Sequence, residues 1–91
     1  LAAPYDALLM PTVIMIAPPI APLEADDQLY GKTNLAMLRN PSVVNFLDGC
    51  ALSIPCQEPG AAPVGLMVVG QSGEDRRLLA VGLALESALR Q

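Results

Sequence analysis

The sequence predicts an α/β fold, a mixed β-sheet flanked by helices. Three observations carry that expectation. Short apolar runs are separated by segments of helical character rather than by hairpin turns alone. One run, Val64 to Val69, shows no polar alternation, so both of its faces must be covered. The last segment, from about Glu74 to Arg90, puts Leu78, Leu79, Gly82, Leu83, Leu85 and Leu89 on one wide apolar stripe, the pattern of a helix lying on a sheet.

The first element is Ala7 to Met10, which reads as a buried strand closed by Pro11-Thr12, since proline cannot donate to a ladder. Val13 to Ile16 either extends that strand or crosses the surface as a second extended piece. The proline-rich Ala17 to Pro22 reads as an extended connector. Glu24, Asp26 and Asp27 place negative charge where a helix begins, and Leu29, Leu35, Met37 and Leu38 follow. A short helix is therefore expected from Gln28 to Arg39, weakened by Gly31. Asn40 then reads as the N-cap and Pro41 as the first position of a further helix, with Val43, Val44, Phe46 and Leu47 on its apolar face. Asp48 in its last turn opposes the helix dipole, and Gly49 stands where a left-handed residue ends it. Ala51 to Pro55 reads as a second buried strand, and Gln57 to Ala62 as a turn rich in glycine and proline. Gly70, Ser72 and Gly73 break the third strand. Ser72 with Asp75 forms a capping-box-like start to the last helix.

Composition narrows the function classes. The chain has 91 residues, 53% of them hydrophobic and only 15% charged. A domain this small cannot bury so much apolar surface by itself, so it needs a partner: another subunit, or the rest of a longer chain. A first residue other than methionine suits a piece of something longer. The net charge of −4 argues against nucleic acid, because Lys32, Arg39, Arg76, Arg77 and Arg90 form no basic stripe interleaved with aromatics. The uncharged run Ala7 to Leu23 is not a membrane span, since Pro11, Pro18, Pro19 and Pro22 break helical continuity. No basic region precedes it, as a signal peptide would require. There is no histidine, and the cysteines number two, so no metal site and no cofactor is expected. Cys50 and Cys56 read as small, reduced interior residues of a cytoplasmic protein. The Asp26-Asp27 pair lacks the further oxygen ligands of a cation site.

Thr12, at a strand end, is the best candidate for lining a pocket, because sites in α/β sheets gather at such ends. Asn45 either ties down neighbouring backbone or touches a substrate, and Asp48 is a polar contact for a pocket rim. Thr12, Asn45 and Asp48 are thus the candidate substrate-binding residues. Ser53, with no histidine or lysine near it in sequence, reads as packing, and no residue is expected to be catalytic.

Four segments resemble, in order, the C-terminal region of the amidase-signature hydrolases. They are Tyr5-Asp6-Ala7-Leu8-Leu9-Met10-Pro11-Thr12, then Ser42 to Cys56, then Pro63-Val64-Gly65-Leu66-Met67-Val68-Val69-Gly70, and last Asp75, Leu78, Leu79 and Glu86. Met67, Cys50 and Gln57 depart from the glutamine, proline and glycine common at those places. The resemblance implies amide hydrolysis by a Ser-Ser-Lys triad in a glycine- and serine-rich segment far upstream. There the lysine is the base, one serine relays the proton, the other attacks the carbonyl, and backbone N–H groups hold the oxyanion. No such segment surrounds Lys32, the only lysine, so these 91 residues alone are expected to be inactive. The resemblance makes them a C-terminal portion of the amidase-signature fold, walling part of a pocket for a small amide. Their partner is then the remainder of the amidase chain or a homo-oligomeric copy. A stand-alone, non-catalytic α/β module that associates through its apolar face is the alternative.

Overall fold

The computed structural model describes residues 5–90. Its elements run β1 (Leu8–Pro11), α1 (Ile20–Ala25), α2 (Asp27–Phe46), β2 (Cys50–Pro55), β3 (Gly65–Gly70) and α3 (Asp75–Leu89). The strands form one sheet in the order β1-β3-β2, both pairings antiparallel. The expected α/β arrangement is present. The run without polar alternation is the central strand, and Met67, Val68 and Val69 are all buried.

Strand pleating divides the core in two. Met67 and Val69 point to one face, where they meet Val44 of α2 and Met10 of β1. Val68 points to the other and is fully buried with Ile54 and Leu78, the latter from α3. Helices α2 and α3 thus cover opposite faces. Gly82 lets α3 come close: a Cβ there would sit 2.9 Å from a methyl of Leu52. Arg77 joins α3 to the start of β1, its Nη1 donating to the Asp6 carbonyl at 2.7 Å and its Nη2 to Asp6 Oδ1 at 2.8 Å.

Several local expectations are corrected. Asp27 to Phe46 is one helix, not two, with Pro41 inside it. Asp26 caps it, its Oδ1 accepting from the backbone N–H of Gln28 at 3.0 Å and of Leu29 at 3.2 Å. Asn40 is no cap. It is a buried mid-helix residue whose Nδ2 donates to the Pro11 carbonyl at 2.7 Å, so its side chain serves the sheet rather than a helix start. Proline at position 41 removes one helical donor, and the turns on either side carry the helix through. The left-handed residue at the helix end is Asp48, with φ 56°, rather than Gly49. Gly49 is needed for space, since a Cβ there would lie 2.9 Å from the Gly70 carbonyl oxygen.

Val13 to Met15 form bends, neither extending β1 nor making a second strand, and the connector is cut short by α1 with Pro22 in its first turn. Proline is tolerated there because first-turn donors have no intrahelical partner anyway. At the start of α3, Ser72 makes no capping bond. Instead Glu74 Oε1 accepts from the Gln71 N–H at 2.9 Å. Strand β1, expected to be buried, is largely exposed, and β2 is covered on only one face, where Ile54 is buried and Cys50 and Leu52 are half-buried. Each pairs only with β3 among the described residues, so nothing there covers its outer edge.

Candidate functional site

At the Gly65 end of the sheet, three strands bring polar groups together on the face that carries Met67. The backbone N–H of Thr12 donates to the Gly65 carbonyl at 3.0 Å, which carries the β1 ladder one residue past Pro11. Ser53 lies opposite Met67 on the other side of β3, so its side chain emerges on the same face as that of Thr12. The two hydroxyls hydrogen-bond to each other across the central strand, Thr12 Oγ1 to Ser53 Oγ, at 2.6 Å. Gly65 makes this possible. A Cβ there would run into both hydroxyls, lying 2.8 Å from Thr12 Oγ1.

The pair forms part of the wall of an open cleft of about 290 Å³, with Val13, Val64, Pro55 and Pro63 as its apolar lining and Gln57 at its edge. Gln57 Oε1 accepts from the Val64 N–H at 3.2 Å, which engages the oxygen of its amide. No charged residue lines this cleft among the described residues.

The structure does not bring the three sequence candidates together. Thr12 stands at the Gly65 end. Asn45 and Asp48 are exposed at the other end, where Gly49 passes the Gly70 carbonyl. The two ends of β3 are roughly 17 Å apart at a strand's rise per residue. Asn45 contributes backbone: its carbonyl accepts from the Asp48 N–H at 3.1 Å and closes the end of α2.

Ser53 is the residue the sequence reading undervalued, for it faces the cleft in partnership with Thr12 instead of packing. Its signal was present in the small residue Gly65, which leaves room between strands for a hydroxyl on either side. Serine and threonine hydroxyls this close can relay a proton but do not by themselves activate a nucleophile, and neither has a basic partner.

The cysteines are free and engage separate carbonyls. Cys50 Sγ donates to Gln71 O at 3.3 Å and Cys56 Sγ to Val64 O at 3.6 Å. Burial, and next the nearby Asp75 carboxylate, push the Cys50 thiol above its ordinary pKa. Among the described residues no cluster of cysteine, aspartate and glutamate could hold a metal ion. No helix there is long and apolar enough to cross a membrane.

Residues 1–79 match the amidase family, and the chain belongs to it. Hydrolysis of amide carbon–nitrogen bonds is the chemistry of that family. The indoleacetamide hydrolase of Rhizobium radiobacter is 37% identical over 91 residues, covering 92% of this chain and 19% of that protein. The 2-amino-5-chloromuconic acid deaminase of Comamonas testosteroni is 31% identical over 87 residues, covering 94% of this chain and 19% of the relative. A glutamyl-tRNA(Gln) amidotransferase polypeptide of Salinispora arenicola is 36% identical over 84 residues, 92% of this chain and 16% of its own length. The chain therefore spans about a fifth of the length of these relatives. No solved structure matches it.

Proposed function

We propose that this chain is the C-terminal structural and pocket-forming part of an amidase that hydrolyses carbon–nitrogen amide bonds. The match to the amidase family across residues 1–79 carries the proposal. The nucleophile, the relaying serine and the lysine base of a Ser-Ser-Lys mechanism lie upstream of these residues. The chain contributes β1, β2 and β3 to a larger sheet, α3 as a closing helix, and Thr12 to the wall of the substrate pocket. Asn45 and Asp48 belong to a second contact at the far end of the sheet. The partner is the remainder of the amidase chain or a further copy of it, the substrate is a small amide, and the setting is the cytoplasm.

The exposed outer edges of β1 and β2 support this placement, because an unpaired strand edge invites another strand. The test compares the 91 residues alone with the complete polypeptide that carries them in its source. Hydrolysis of indoleacetamide and of simple primary amides is followed by ammonia release. We expect turnover only from the complete polypeptide. Turnover above background by the 91 residues alone, or none by the complete polypeptide on any amide tried, would overturn the proposal.

A further inference from the structure

The junction between α2 and β2 has a chemistry of its own. Asp48 is the one aspartate of the chain followed by glycine, and no asparagine is. An aspartyl carboxyl carbon can close a five-membered ring with the backbone nitrogen of the next residue. A side chain on that residue ordinarily obstructs the approach, and Gly49 has none.

The backbone at the junction is poorly secured. Asp48 is exposed and joins no ion pair among the described residues. Its φ of 56° lies in the left-handed region, which costs an aspartate more than a glycine. Two backbone bonds hold it: the Asp48 N–H donates to the Asn45 carbonyl at 3.1 Å, and the Gly49 N–H to the Val44 carbonyl at 3.0 Å. Both lie at the end of a helix, where fraying is concentrated. The second bond occupies the attacking nitrogen, so reaction proceeds from the frayed form.

We propose that Asp48–Gly49 is a site of spontaneous isomerisation to isoaspartate. The Gly49 nitrogen attacks Asp48 Cγ and gives its proton to solvent, and the hydroxyl of the carboxylic acid leaves as water. The succinimide so formed takes up water at either carbonyl, returning aspartate or giving the β-linked isomer. One water is lost and one regained, and nothing is oxidised or reduced. The β linkage adds one atom to the main chain. Gly49 has no room for it, since even a Cβ there would lie 2.9 Å from the Gly70 carbonyl oxygen, and the next residue, Cys50, pairs with Gly70. Isomerisation therefore displaces the first pairs of β2 against β3.

The test uses the complete polypeptide, incubated folded at mildly acidic pH, where more of the carboxyl group is protonated. Peptide mapping with an enzymatic assay for isoaspartate locates the product. Asp48 should account for nearly all the isoaspartate within these residues, and Asp48→Gly, which suits the left-handed backbone, should abolish it. At neutral pH Asp48→Asn should convert faster, because a neutral amide is a better electrophile than a carboxylate. The separated isomer should lose hydrogen-exchange protection from Cys50 to Leu52 while α3 keeps its own. No isoaspartate at Asp48 in the folded protein, under conditions where a peptide of residues 44–54 forms it, would overturn the site. Equal protection of β2 in the two forms would overturn its effect on the sheet.

Discussion

Asn40 shows how one side chain can fasten a helix to a strand. It is buried in α2 and satisfies the carbonyl of Pro11 at 2.7 Å, at the point where β1 gives way to Thr12. Asn40→Ala should cost about 1–2 kcal/mol, the penalty for an unmade bond at a part-buried carbonyl. Asn40→Asp should cost more, because it turns an acceptor toward an acceptor and buries charge. Urea denaturation of both variants checks this, and an aspartate no worse than alanine would dismiss the bond as incidental. Cys50 gives a pH-dependent counterpart. Its thiol pKa is raised by burial and then by Asp75, so over a range of alkaline pH the folded chain keeps a proton that the unfolded chain has released. The folded state binds more protons there, and stability falls as pH rises. The contribution is intact below the ordinary thiol range, near 8.5, and disappears as pH climbs through the raised value. Cys50→Ala should flatten the decline in stability above the ordinary thiol range, and an unchanged slope would rule out this source.

Among the elements, the strands and the last helix were legible in the sequence, and the long helix was not. Strand β3 announced itself because an unbroken apolar run has few other uses, and α3 because its leucines recur at helical spacing. Asn40-Pro41 is an equally good start signal for a helix, and local chemistry alone cannot distinguish a cap from a helical asparagine whose amide is engaged elsewhere. The partner in question, Pro11, lies 29 residues away. The same distance effect hid Ser53, since its hydroxyl partner is 41 residues off in sequence. Packing between elements is sharpest at Gly82. Alanine there gains about 1 kcal/mol of helix propensity but drives a methyl into Leu52, and overpacking costs about 1–3 kcal/mol. Gly82→Ala should therefore be net destabilising in the native background. With Leu52→Ala already in place the sign should reverse, because the obstructing methyls are gone. A thermodynamic cycle on the two sites measures this, and strict additivity would contradict the close contact.

At the scale of the whole molecule, the shape is that of a slab. The Cα extents are 45 × 33 × 17 Å and the radius of gyration is 15.2 Å, against about 12 Å for a compact domain of this length. The accessible surface is 6792 Å², well above the roughly 5,000 Å² expected of a compact monomer of 9.5 kDa. Phe46 is 90% exposed and Leu35 73%, so the outer side of α2 carries apolar groups that a free monomer would cover. The isolated 91 residues should accordingly self-associate, and sedimentation velocity over a range of concentrations should show mass rising with concentration. A monomer at every concentration with a sharp unfolding transition would mean that the slab is sufficient on its own. The Thr12–Gly65–Ser53 wall carries a last consequence. Its residues come from three different strands, and a slip of one position in β2 would send Ser53 to the opposite face. The hydroxyl contact is thus a check on strand alignment: a misregistered sheet would be without it.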